Sequence, residues 1–255
     1  MKIIKFVVSF LLFLGILILM VWAGKKSNEQ TCNHISILIN TSGNIQLLTE
    51  SDILKILERK NAHCEGKVIK EIELATIHKI LTQENYIKSV DKVHFLGSKL
   101  QIEVTLYNIL MEVQPKTGAK FLLDVEGVYL PYSSKVENGV IVAQGVIPNS
   151  FQTKETVTAN NRELYELFTI ATLIQEDPFY SALFTRMYID EKQHITFYPT
   201  VGNLPVLFGT AQDAQNKLKS LKYMYEDVLP YMNEDKYARL DVRFKNRIVA
   251  TKSKS

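Results

Sequence analysis

Cys32-Asn33-His34 and His63-Cys64 place two thiols and two imidazoles in one stretch of the chain. Such a set can close a disulfide or hold a zinc ion. If the first strand begins near Cys32 and the following helix runs back antiparallel, Cys64 arrives beside Cys32. A bond there closes a loop of about 33 residues, worth roughly 3–4 kcal/mol in the chain-entropy model. Zinc fits less well, because adjacent His63-Cys64 has an awkward bite and the spacing is unlike Cys-x2-4-Cys. On the residues alone, a disulfide between Cys32 and Cys64, two free thiols and a zinc site all stay open.

Other chemistry is hard to assemble. The chain contains no Gly-x-Ser-x-Gly, no His-Glu-x-x-His, no Cys-x-x-Cys and no phosphate-cradling glycine loop. His78 falls in an expected helix, and His94 and His194 in expected strands, where a surface or edge histidine is the plain reading. Asp124 and Glu126 fall in an expected turn, where acidic side chains bond locally. Apart from the zinc site left open above, the residues point to no enzyme, no cofactor, no metal and no small-molecule substrate. The net charge is +3 and no long basic block occurs, which argues against nucleic acid as a partner.

The stretch that positions everything else is Phe6 to Gly24, 19 residues without a charge. As a helix it is about 28 Å long, close to the hydrocarbon thickness of a bilayer. Residues 1–5 are then a cytoplasmic tail, 6–24 a single transmembrane helix and 25–32 a polar linker, with the body exported. A cleaved signal peptide is the competing reading, since Val21-Trp22-Ala23 resembles a cleavage site, but the run exceeds a typical h-region.

Beyond the linker the chain is expected to be α+β. Ile35, Ile37 and Ile39 alternate in a strand. Thr49 can cap a helix carrying Ile53, Ile56 and Leu57 inward. Leu74, Ile77, Ile80 and Leu81 line a second helix. Val93 and Phe95 suggest a strand, and Leu100, Ile102, Val104 and Leu106 alternate in another. Residues 33–106 thus read strand, helix, helix, strand, strand, one domain with helices on one face of a sheet. Residues 107–252 read as a mostly β domain with flanking helices, and 253–255 as a tail. That domain has a helix after Asn160 or Asn161 ended by Asp177-Pro178, and another over about 211–229. Its last strands are expected at Ala238 to Phe244 and Arg247 to Thr251.

The order of these parts resembles the FtsQ/DivIB family of bacterial cell-division proteins, in the form found in Bacteroidetes-type bacteria. LLTESDILKIL resembles the first helix of the family's POTRA domain, and KVHFLGSKLQIEV its closing hairpin. FLLDVEGVYLP resembles the entry to the family's β-domain. ITFYPTVGNLPVLFG, NKLKSLKYMYEDVLP and ARLDVRFKNRIVATK resemble its C-terminal part. YNILMEVQPKTG departs from the family, lacking the usual Arg/Glu-x-x-Pro. The resemblance implies a POTRA domain (β-α-α-β-β) over 33–106, a β-domain over 107–252 and a non-enzymatic scaffold. It implies a single-pass protein of the cell inner membrane at the division septum, with both domains periplasmic. FtsB-like and FtsL-like partners, and a part in regulating septal peptidoglycan synthesis, follow from the same likeness. By position, Phe244, Asn246, Ile248, Ala250 and Lys252 match the family's partner-binding strand, which accepts a segment by strand addition. The alternative is a POTRA-bearing protein of outer-membrane assembly or secretion.

Overall fold

The computed structural model describes residues 13–18, 20, 30–43, 45–136, 139–148, 151–202, 204–232, 236–245 and 247–253. Within the expected span Phe6–Gly24, residues 13–18 are helical, and Phe13, Leu14, Ile16, Leu17 and Ile18 expose their side chains. The rest of that span, apart from Met20, lies outside the described residues, as do the expected tail at 1–5 and residues 25–29 of the linker. Among the described residues no helix is long and apolar enough to cross a membrane. The chain forms two compact units. One ends at Asn40 and resumes over Leu48–Leu106; the other is Thr41–Leu47 with the chain from Tyr107 onward.

The first unit holds β1 (His34–Asn40), α1 (Glu50–Arg59), α2 (Leu74–Thr82), β2 (Ile87–Leu96) and β3 (Lys99–Leu106). Its sheet runs β1-β3-β2, with β1 parallel and β2 antiparallel to the central strand. The alternation of β3 is what centres it: Leu100, Ile102, Val104 and Leu106 are all buried. Thr49 starts α1 through a reciprocal cap. Its hydroxyl accepts from Asp52 N at 3.3 Å, and its own N–H donates to Asp52 Oδ2 at 2.9 Å. Ile53, Ile56 and Leu57 of α1, with Ile77 and Leu81 of α2, then bury against Ile35 and Ile37. Each such side chain contributes about 1.5–3 kcal/mol by leaving water. β2 starts six residues before the Val93 that marks it in the sequence. Register shifts between Ile87 and Ser89 and between Val90 and Lys92 break the alternation that would reveal its first half.

The second unit holds β4 (Ile109–Pro115), β5 (Phe121–Asp124), β6 (Tyr129–Pro131), β7 (Ile141–Gly145), α3 (Arg162–Glu176) and α4 (Pro178–Leu183). β8 (Phe184–Ile189), β9 (Ile195–Pro199), β10 (Val206–Gly209), α5 (Ala214–Tyr223), β11 (Tyr237–Asp241) and β12 (Val249–Lys252) follow. The nine strands among these elements build one sheet, β12-β11-β10-β9-β8-β7-β4-β5-β6. The pairs β4–β7, β7–β8 and β10–β11 are parallel, so each needs a crossover. The chain through β5 and β6 supplies the first, α3 and α4 the second and α5 the third. Leu164, Leu167, Ile170 and Ile174 of α3, with Leu218 and Leu221 of α5, are buried in the same core as the sheet's Phe184, Phe197 and Phe208. Those three rings sit on adjacent strands at 4.8 and 4.6 Å between centroids.

Three expectations for this unit change. Asp177-Pro178 does end α3, but it also starts α4: the Asp177 carboxylate accepts from Phe179 N at 2.8 Å, and Pro178 takes the first helical position. The helix expected over 211–229 is α-helical only across α5, and widens to a π turn at Met224–Val228 before a 3-10 turn at Leu229–Tyr231. The last hairpin is shorter than expected. β11 stops at Asp241, three residues before Phe244, and β12 begins at Val249.

Candidate functional site

A sheet offers a binding partner its edge, where backbone N–H and C=O groups have no neighbour. Two sheets give four edges, and they are not equivalent. The start of β1 is covered by the chain at 64–68: Cys32 N donates to Lys67 O at 2.9 Å, Gly66 N to Cys32 O at 2.8 Å, and Ile35 N to Glu65 Oε1 at 3.2 Å. β2 carries two bulges with Asp91 and Lys92 at the second, a pairing that resists an added strand. Asp91 accepts from Thr105 and Ser89, which hold its carboxyl below the usual carboxylate range. β6 is covered by residues 154–157. Tyr129 N donates to Glu155 O and Lys154 N to Tyr129 O, both at 2.8 Å, and β6 ends in Pro131.

The fourth edge is β12. Among the described residues no strand lies beyond it. The direction of its backbone groups follows from its neighbours. Leu240 N donates to Pro205 O at 2.9 Å and Val242 N to Leu207 O at 3.1 Å, so these two residues face β10. Successive residues of a strand point opposite ways, so Arg239 and Asp241 face β12. Their antiparallel partners are Thr251 and Val249, which therefore turn inward. Ser253 N, donating to Lys236 O at 2.8 Å, keeps the same phase. Ala250, opposite Leu240, and then Lys252, turn their N–H and C=O groups to the open side.

The side chains follow the other alternation. Ile248 and Ala250 pack partly against the core, while Val249, Thr251 and Lys252 are exposed. Of the five residues expected from the family pattern, Ala250 and Lys252 lie on the edge strand and Ile248 just before it. Phe244 lies in the connection, 43% exposed, under the Arg247 guanidinium at 5.0 Å, and not at the end of a strand as expected. Asn246 lies outside the described residues.

The turn into this connection is fixed by a pair that the sequence reading did not single out. Arg243 reaches back two residues, placing Nε 2.9 Å and Nη2 2.6 Å from the Asp241 carboxylate, and its N–H donates to Oδ1 at 3.1 Å. The guanidinium holds the Asp241 carboxyl below the usual range. An Asp-x-Arg at the end of a strand was the available signal. Gly209 makes room for this arginine. Its φ is +81°, and a Cβ there would sit 2.9 Å from Arg243 Cγ. Beside the connection runs a groove of about 710 Å³, bordered by Lys217, Arg243, Lys245 and Arg247 against the single acid Asp213. Lys217 donates to Phe208 O at 3.1 Å and Thr210 O at 2.9 Å, and burial pushes its ammonium down from the ordinary value. The groove thus carries an excess of basic side chains, with the Arg243 charge offset by Asp241.

The cysteines lie elsewhere. Cys32 and Cys64 are buried free thiols in the core of the first unit.

Comparison with known families assigns both units. A model described as FtsQ/DivIB, C-terminal related, matches residues 110–251, and one described as a POTRA-like domain matches residues 30–105. No curated protein matches the chain. With more than half of its length in the first match, from β4 into β12, the chain belongs to the FtsQ/DivIB family.

Proposed function

We propose that this chain is a non-enzymatic, bitopic scaffold of the bacterial division machinery. Phe6–Gly24 anchors it in the inner membrane, with a short cytoplasmic tail and both units in the periplasm. It recruits FtsB-like and FtsL-like partners and so helps regulate septal peptidoglycan synthesis. One observation carries the binding mode: β12 is a sheet edge whose Ala250 and Lys252 backbone groups face outward, whereas β2 is bulged and charged and β6 is covered. A partner segment can pair with those groups as a tenth strand. Main-chain bonds then supply affinity, and alternate side chains meeting Val249, Thr251 and the cationic groove supply selectivity.

Family membership supports the division role, since this is a family of non-catalytic division scaffolds. The match over 110–251 favours that role over outer-membrane assembly or secretion, which the POTRA-like match alone would fit equally. The test is a fluorescently tagged chain in dividing cells, followed by affinity isolation. A mid-cell band with FtsB-like and FtsL-like proteins in the eluate is expected. Uniform envelope labelling without them would refute the reading.

A further inference from the structure

The first unit carries a second feature, independent of the β12 edge. Cys32 lies two residues before β1, and Cys64 sits in the loop after α1. Both are buried, at 0% and 2% exposure, in one apolar cluster with Ile35, Leu57 and Leu100. The backbone holds their segments side by side. Cys32 N donates to Lys67 O at 2.9 Å, and Gly66 N returns a bond to Cys32 O at 2.8 Å. Thr31 forms a bridge with Val68, and Glu65 accepts from Ile35 N at 3.2 Å. Four consecutive residues after Cys64 are thereby latched to the segment that leads into β1.

We propose that Cys32 and Cys64 close an intramolecular disulfide in the mature chain, tying the start of β1 to the end of the α1 loop. The neighbouring imidazoles do not compete for the thiols. His34 Nδ1 and His63 Nε2 each lie 3.6 Å from the Glu65 carboxylate. Among the described residues no group of three or more histidine, cysteine or acidic side chains is placed to hold a metal ion.

The oxidation balances simply. The two thiols lose two protons and two electrons and their sulfurs join. The disulfide of an envelope thiol–disulfide oxidoreductase takes up the two electrons and protons and becomes a dithiol. Supply of that oxidant rests on the exported location proposed above. Burial, and the nearby Cys32, push the Cys64 thiol up, so little thiolate is available for exchange once the unit is packed. The bond therefore forms while the unit folds, and afterwards the same burial shields it from reductants.

Two arms test this on the full chain in detergent. In the first, reduced and unfolded protein is refolded in an oxidising glutathione buffer, then denatured, alkylated and mapped by peptide mass. The expected product is one cross-linked peptide pair, Cys32 with Cys64, without alkylation. The first unit should melt roughly 10 °C or more above the form refolded in dithiothreitol, and Cys32→Ser should abolish that redox dependence. Two alkylated thiols in this arm overturn the disulfide itself. In the second arm, protein is extracted from the cell envelope with thiols trapped at once. The same cross-linked pair is expected. A bond in the first arm with free thiols in the second overturns the exported location, and with it the disulfide in the cell.

Discussion

Replacing Ala250 with proline separates binding from folding at the β12 edge. The Ala250 N–H points away from β11, so its loss removes no bond within the sheet. Proline also places its ring where an added strand would lie. One net hydrogen bond is worth about 0.5–1.5 kcal/mol, and the ring clash adds to it. With about 1.4 kcal/mol per tenfold, partner affinity should fall by about tenfold or more. Val249→Pro is the matched opposite. Val249 pairs with Asp241, so its N–H belongs to the β11–β12 ladder. Losing it leaves a carbonyl of β11 without its donor, a cost of about 1–3 kcal/mol. For a unit of this size that lowers the melting temperature by roughly 2–10 °C. The assay is fluorescence anisotropy with a labelled FtsB-like segment, beside a thermal melt of each variant. Ala250→Pro should melt close to the parent and bind poorly. Unchanged binding by folded Ala250→Pro would refute strand addition at β12.

Two further outcomes follow from named contacts. Asp241 has a folded-state pKa below its unfolded value because Arg243 bonds its carboxylate. Its contribution is therefore complete above the unfolded value of about 3.9 and disappears as pH falls through the lower folded value. Arg243→Ala should remove about 1–3 kcal/mol near neutral pH and flatten that acid-side loss, read by melts across pH 2 to 7. Thr49→Ala should cost the first unit about 1 kcal/mol through the lost α1 cap, while the β12 edge keeps its affinity in the same anisotropy assay.

Much of the fold is legible where one physical rule dominates. β3 reads directly, because Leu100, Ile102, Val104 and Leu106 keep strict alternation and all are buried. Thr49 reads as a cap because Asp52 stands three residues on. β2 reads only in its second half, since its bulges hide the period. The final hairpin misleads for a different reason. Leu240, Val242 and Phe244 continue an alternating pattern, yet Arg243 turns back to Asp241 and Phe244 stacks under Arg247 in the connection. The direction of each N–H on β12 is not in the local sequence at all. It depends on β11 being parallel to β10, and so on which side Leu240 donates. Position within the family picks out Ala250 and Lys252; only the sheet order shows that their backbone faces the open side.

Hydrogen exchange at single amides of β12 tests the central claim most directly. With a saturating FtsB-like segment, the Ala250 and Lys252 amides should slow by on the order of tenfold or more, while Val249 and Thr251, already bonded to β11, change little. If the segment binds and protects amides elsewhere, leaving Ala250 and Lys252 exchanging as in the free chain, β12 is not the docking edge.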